Sequence, residues 1–502
     1  MCGIFGALGD VQAGSVQAQL QRLRHRGPDG HGICDTPMGV LGHTRLAIVD
    51  VEQGHQPQAY NGLAITYNGE VYNHRQLRRQ HLAGEELTTH SDTEVVLRLY
   101  DRLGPASVEL LDGMFALAIM DDENLFLARD PIGIKPLYLG FAGSTLYFAS
   151  EIKAFPAHLE RIEVFPPGHW YHSQMGLHRF YHVGQARQLL PSPRTEAEAQ
   201  RQLAGLLREA VVKRLMADVP VGVSLSGGLD SSIVTLLAKE GLDELHSFAV
   251  GVVGSEDLAA AREVAAFLGT RHHERVYDVA EMLSVLPDVV YSLESFDPAL
   301  VRSAIPNYFL AQLAAEQVKV MLTGEGADEL YAGYDYLRDF ARAEQLQKEM
   351  EYIVGALHNT NLQRADRMSM RFGLEARVPF LDVDSIAYAL ALPAQWKLAG
   401  RGKGGERMEK ALLRNAFAGR LPDHIVQRPK QKFSSGAGSA QLIAQHAEQA
   451  VSDADFAAER ERLCAEWGYT LPNKEALYYY RFLAEVYPDA WIFATMGVSR
   501  SL

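Results

Sequence analysis

The first part of the chain alternates short apolar runs with turn residues. Apolar stretches at 39–51, 63–67, 115–121, 125–129 and 145–149 are bounded by Gly, Asn, Asp and Pro, the pattern of strands joined by tight turns. Helical patches fall at 16–24 and 92–103, the second with Ser91 or Asp92 as its N-cap. Residues 1–185 therefore predict an α+β domain of two packed antiparallel sheets with helices. The stretch Pro-Ser-Pro-Arg-Thr-Glu-Ala-Glu at 191–198 closes an expected linker, 186–198, that runs into a capped helix.

Beyond the linker the period changes. Apolar strands at 219–225, 246–252, 273–279 and 318–323 alternate with helices at 231–239, 257–268 and 304–316. This alternation predicts a parallel sheet with crossover helices, an α/β domain over 199–502. Ligands of such sheets bind at the carboxyl ends of the strands, so the loops starting at Ser226 and Gly324 should face the site.

Composition narrows the function. A chain of 502 residues should hold two or three domains, and 47% hydrophobic with 22% charged residues describes a globular protein. Net charge of −14 disfavours a broad nucleic-acid or anionic-membrane surface. No apolar run approaches ~18 residues and no secretory pattern opens the chain, so no membrane partner is expected. Cys2, Cys34 and Cys464 lack paired spacing, which excludes a disulfide framework or thiolate zinc site and fits a cytoplasmic protein. His272 and His273 are adjacent in an expected strand, so their side chains point to opposite faces and are read as structural.

Three places carry chemistry. Removal of Met1 would make Cys2 the amino terminus, placing a thiol beside its own α-amine, which can serve as its general base. The loop Ser226-Gly227-Gly228-Leu229-Asp230-Ser231 follows an apolar strand. Its glycines let backbone amides approach a phosphate, and the next helix points its positive end there. No Gly-Lys-Ser/Thr follows, so pyrophosphate-releasing adenylation is expected rather than phosphoryl transfer. Asp230 adds a carboxylate for Mg²⁺. Thr323-Gly324-Glu325-Gly326-Ala327-Asp328-Glu329 places three carboxylates around two glycines at a strand end, enough for one metal ligand and one base.

With these motifs the chain resembles the glutamine-hydrolysing asparagine synthetases. The resemblance also rests on His25-Arg26-Gly27-Pro28-Asp29, Arg45-Leu46-Ala47-Ile48-Val49-Asp50, Asn68-Gly69-Glu70-Val71-Tyr72-Asn73, the stretch 373–382 and Arg428-Pro429-Lys430-Gln431-Lys432-Phe433. It implies an N-terminal-nucleophile glutaminase followed by an ATP-pyrophosphatase-type synthetase. Cys2 would attack the glutamine amide, with Asn68 and the Gly69 amide as oxyanion hole. Arg45 would grip the α-carboxylate, Glu70 and Asp92 the α-ammonium, and the backbone of Leu46, Ala47, Ile48 and Val49 would frame the pocket. ATP would lie over Ser226, Gly227, Gly228, Asp230 and Ser231, with Ser224, Val250, Thr323 and Gly324 holding the nucleotide. Asp230 and Asp328 would carry Mg²⁺, Glu325 would remove a proton, and Lys430 would stabilise phosphate charge. The implied product is asparagine, formed through β-aspartyl-AMP with ammonia passed inside the protein, and family analogy implies a homodimer.

The acceptor region departs from the family pattern. Pro298-Ala299-Leu300-Val301-Arg302 stands where many members have threonines before the arginine, so Arg302 is kept as an acceptor-binding residue without the hydroxyls. Thr323 and Ala327 replace serines, and Ser224 replaces a leucine. Two alternatives follow: the same chemistry on another carboxylate of a metabolite, peptide or sugar acid, and a nucleotide-binding protein without synthesis. Retention of Cys2, Asp230, Glu325, Asp328 and Lys430 together opposes the second.

Overall fold

The computed structural model describes residues 2–9, 11, 13–184, 193–398, 408–430 and 440–499. Contacts divide the chain into one unit of residues 1–185 with 216–220 and 370–375, and another of 186–215, 221–369 and 376–502. The two short segments add to the expected first domain, and residues 186–192 of the expected linker lie outside the described residues.

The first unit contains two six-stranded antiparallel sheets. One runs in the order Arg161–Val164, Tyr138–Ala142, Thr145–Ala149, Gly3–Leu8, Gly39–Arg45 and Gly30–Thr36. The other runs Gly176–Arg179, His169–His172, Leu125–Arg129, Gly113–Met120, Leu63–Val71 and Gln58–Tyr60. Strand Gly113–Met120 is buried along its whole length. Ala116, Ala118 and Met120 pack toward Ile4 and Leu41 of the other sheet. Phe115, Leu117 and Ile119, on the opposite face, pack with Val95, Val96 and Leu99 of helix Asp92–Leu103. Both faces are covered, so the period-2 alternation is hidden inside a continuous apolar run.

Helix Asp92–Leu103 matches its expected bounds. The Ser91 side chain accepts from Glu94 N, and Gly104 closes the helix with φ 62°. The expected strand 39–51 instead stops at Arg45. Leu46, Ala47 and Ile48 are buried as loop, so their apolar character reflects burial rather than strand pairing.

The second unit holds a five-stranded sheet in the order Arg271–Val276, His246–Gly251, Val221–Ser224, Val320–Leu322 and Glu375–Arg377, the last strand's first residue being counted in the first unit. The first four pair in parallel. Helix Pro298–Ala315 begins six residues before the expected start at 304. Asp297 caps it through Leu300 N, and Pro298 occupies its first turn, where a missing N–H costs nothing. Among the described residues, no helix is long and apolar enough to cross a membrane.

Candidate active sites

In the first unit, strand Gly3–Leu8 carries Cys2 at its entrance, where only 6% of the residue is exposed. Cys2 N donates to Asn68 Oδ1 at 2.9 Å. The Asn68 side chain is fully buried, and its Nδ2 has no hydrogen-bond partner among the described residues. A buried amide donor without a partner is costly, and this one lies on the residue that holds the cysteine. Position 69 requires glycine, because a Cβ there would sit 2.0 Å from Met114 O. Burial pushes the Cys2 thiol above its ordinary value, partly opposed by its contact with Leu46 O and by Arg45. A thiol in that state needs a base to become a nucleophile.

The neighbouring motifs support this arrangement. Arg26 Nε donates to Cys2 O at 3.0 Å, and its Nη1 pairs with buried Glu151 at 2.7 Å. Asp29 accepts from Ala47 N at 2.8 Å, fixing the loop after Arg45. Arg45 is buried and donates to Val51 O and Asp50 O at 2.8 and 2.6 Å. Asp92, freed from capping by Ser91, accepts from Val71 N and Tyr67 Oη, each at 2.9 Å. Burial pushes its carboxyl up, countered by His74 and these bonds, and raised further by Glu375. Glu70 is buried on the same strand as Asn68. Tyr67, His74 and Glu375 were not singled out from the sequence.

In the second unit, the loop 226–228 joins strand Val221–Ser224 to helix Leu229–Gly241, with Gly228 as N-cap. Gly227 has φ 69°, and a Cβ there would lie 2.4 Å from Ala260 Cβ. The loop holds itself open: Ser231 Oγ accepts from Ser226 N at 3.2 Å and donates to Gly228 O at 3.1 Å. Ser224, Ser226, Gly228, Asp230, Ser231, Val250, Thr323 and Gly324 line one cavity of about 260 Å³. Gly227 does not line it and packs against Ala260. Arg302, Glu325, Asp328 and Lys430 line the same cavity.

Its charges are arranged in pairs. Lys430 Nζ donates to Asp328 Oδ2 at 2.6 Å. Lys410, only 2% exposed, bridges Asp230 Oδ2 at 2.6 Å and Asp328 Oδ1 at 2.5 Å. Burial would raise Asp328, but the two ammonium groups outweigh it and hold the carboxyl well below its usual range. Burial would likewise lower Lys430, but Asp328 and Asp230 push it up. Asp230 Oδ1 has no hydrogen-bond partner among the described residues. Glu325 pairs with Arg364 Nη2, and Arg364 Nη1 donates to Ser303 Oγ at 2.9 Å. Lys410 and Arg364 were missed because a charge gives no sign of a partner 180 or 39 residues away. The signal available for Lys410 was its place beside Glu409, ahead of the apolar Ala411-Leu412-Leu413.

Residues 1–181 match a glutamine amidotransferase domain, and 202–351 with 338–491 match the asparagine synthase model. "Asparagine synthetase [glutamine-hydrolyzing] 3" of Arabidopsis thaliana is 38% identical over 530 residues, covering 99% of this chain and 89% of the relative. A probable glutamine-hydrolysing asparagine synthetase of Schizosaccharomyces pombe is 39% identical over 533 residues, covering 97% and 94%. That breadth includes both sites, and the chain belongs to the family of glutamine-hydrolysing asparagine synthetases.

Proposed function

We propose that the protein converts aspartate to asparagine with ATP, taking its nitrogen from glutamine. One observation carries this reading: a buried thiol next to an unsatisfied amide donor occurs in the same chain as paired carboxylates lining a cavity at the ends of a parallel sheet. The relatives are named for asparagine synthesis, which leaves the other-carboxylate alternative without support.

In the glutaminase, Cys2 Sγ attacks the side-chain carbonyl of glutamine. With Met1 removed, the α-amine takes the thiol proton, and the bond to Asn68 Oδ1 orients that amine. Asn68 Nδ2 and Gly69 N receive the oxyanion. The amine returns the proton to departing ammonia, and water releases glutamate from the thioester. Arg45 meets the α-carboxylate, while Glu70 and Asp92 meet the α-ammonium.

At the second site, an aspartate β-carboxylate oxygen attacks the α-phosphorus of ATP and pyrophosphate leaves. Ammonia then attacks the acyl carbon of β-aspartyl-AMP and displaces AMP. Lys430 faces the developing phosphate charge as a compact cation, and Glu325 takes the surplus proton from the amine adduct. The carboxylates of Asp230 and Asp328 suit Mg²⁺, which prefers hard oxygen ligands and leaves positions for phosphate and water; unpartnered Asp230 Oδ1 fits that role. Bound there, Mg²⁺ supplies neutralisation of phosphate charge. The unpaired cysteines support a cytoplasmic location.

Cys2→Ala tests the division of labour. The variant should lose glutamine-dependent synthesis and keep synthesis from added ammonium salts. Glutamine-dependent asparagine formation by Cys2→Ala would refute the assignment.

A further inference from the structure

Arg302, on helix Pro298–Ala315, lines the cavity of the second unit. Its Nε donates to Glu475 Oε1 at 2.8 Å, and its Nη2 donates to Glu475 Oε2. Glu475 lies in the first turn of helix Lys474–Ala484, 173 residues away along the chain. Acids at that helical position are ordinarily exposed, where they favour the helix dipole at little cost. The Glu475 side chain is instead 3% exposed, against 27% for Arg302. Tyr479 Oη, one turn later, donates to the same Oε1 at 2.7 Å. A buried carboxylate needs such partners, and here one of them is a cavity arginine.

We propose that Glu475 is a positioning residue for the acceptor, resting on the function proposed above. The fork-to-fork contact fixes the plane of the Arg302 guanidinium, so an acceptor α-carboxylate meets an ordered cation rather than a side chain that must be immobilised on binding. The pair also contributes to the charge of this end of the cavity, where buried Asp297 acts on Arg302 as well. Arg302 is balanced by Glu475 as Arg364 is balanced by Glu325. Two neutral pairs suit an acceptor whose α-carbon carries both carboxylate and ammonium, an α-amino dicarboxylic acid, over a plain dicarboxylate that would be drawn to unbalanced arginines.

The test is steady-state kinetics of the full chain with ammonium chloride, following pyrophosphate. Glu475→Gln should raise KM for aspartate about tenfold, the loss expected when a charge-assisted bidentate pair is broken. KM for ATP, kcat and glutaminase activity should stay within twofold. Glu475→Asp, which keeps the charge at shorter reach, should fall between wild type and Glu475→Gln, and it carries the test should Glu475→Gln not fold. An unchanged KM for aspartate in the folded variants, or a joint shift of all constants as expected for a merely structural role, would overturn the assignment. Wild-type protein lacking aspartate-dependent pyrophosphate release would instead overturn the proposed function, and this inference with it.

Discussion

Asn68→Ala isolates the proposed oxyanion hole. The native side chain makes one hydrogen bond through Oδ1, to Cys2 N at 2.9 Å, while Nδ2 has no partner among the described residues. Truncation therefore removes one ground-state contact, about 1 kcal/mol, and one donor whose partner forms only in the transition state. Loss of such a donor costs roughly 10²–10³-fold in kcat, about 2.7–4 kcal/mol. The loss should fall on kcat for glutamine hydrolysis, with KM changing little. Asn68→Asp sharpens the test. It keeps an acceptor for Cys2 N but puts an oxygen where Nδ2 stood, facing the developing oxyanion, so it should be less active than Asn68→Ala despite its closer shape. Glutamate release measures both variants, and ammonium-dependent synthesis serves as the control that should persist. A kcat within fivefold of wild type for Asn68→Ala, or an aspartate variant more active than the alanine one, would refute the role given to Nδ2.

Further predictions address charge. Lys410→Met leaves Asp230 and Asp328 with one ammonium group fewer, and breaking a buried ion pair costs about 3–5 kcal/mol. The variant should melt below wild type without Mg²⁺ and gain more from added Mg²⁺ in a thermal-shift assay, while equal gains would contradict the shared use of these carboxylates. His43 is buried against Thr66 Oγ1 at 3.0 Å, and burial, with nearby positive charge, lowers its pKa from 6.5 to about 3. The unfolded chain takes up the proton first as pH falls below 6.5, so stability is full above that value and lost toward pH 3. By pH 5 the loss is about 2 kcal/mol. Unfolding of His43→Gln should lack this component of the acid slope, and parallel pH profiles for the two proteins would disprove it.

Local signals decided what could be read from the sequence. Helix 92–103 was legible to the residue because both ends are capped by side-chain or glycine chemistry, Ser91 and Gly104. The turn at 226–231 was legible because Gly227 and the serines serve local backbone geometry. The strand expected through 51 was overextended because Leu46, Ala47 and Ile48 are buried without pairing, and apolar character alone does not distinguish the two. The ion pairs within the second site were not legible. Lys410 reaches Asp230 across 180 residues, and Glu475 reaches Arg302 across 173. Each is an ordinary surface residue until tertiary packing buries it.

The proposed function requires that nitrogen released in one unit be consumed by adenylation chemistry in the other. Glutamine labelled with ¹⁵N in its amide, supplied with aspartate, ATP and Mg²⁺, tests it in one reaction read by mass spectrometry. The expected product is asparagine carrying one ¹⁵N, with AMP and pyrophosphate formed in equal amount to it. Unlabelled product, or ADP and phosphate in place of AMP and pyrophosphate, would contradict it.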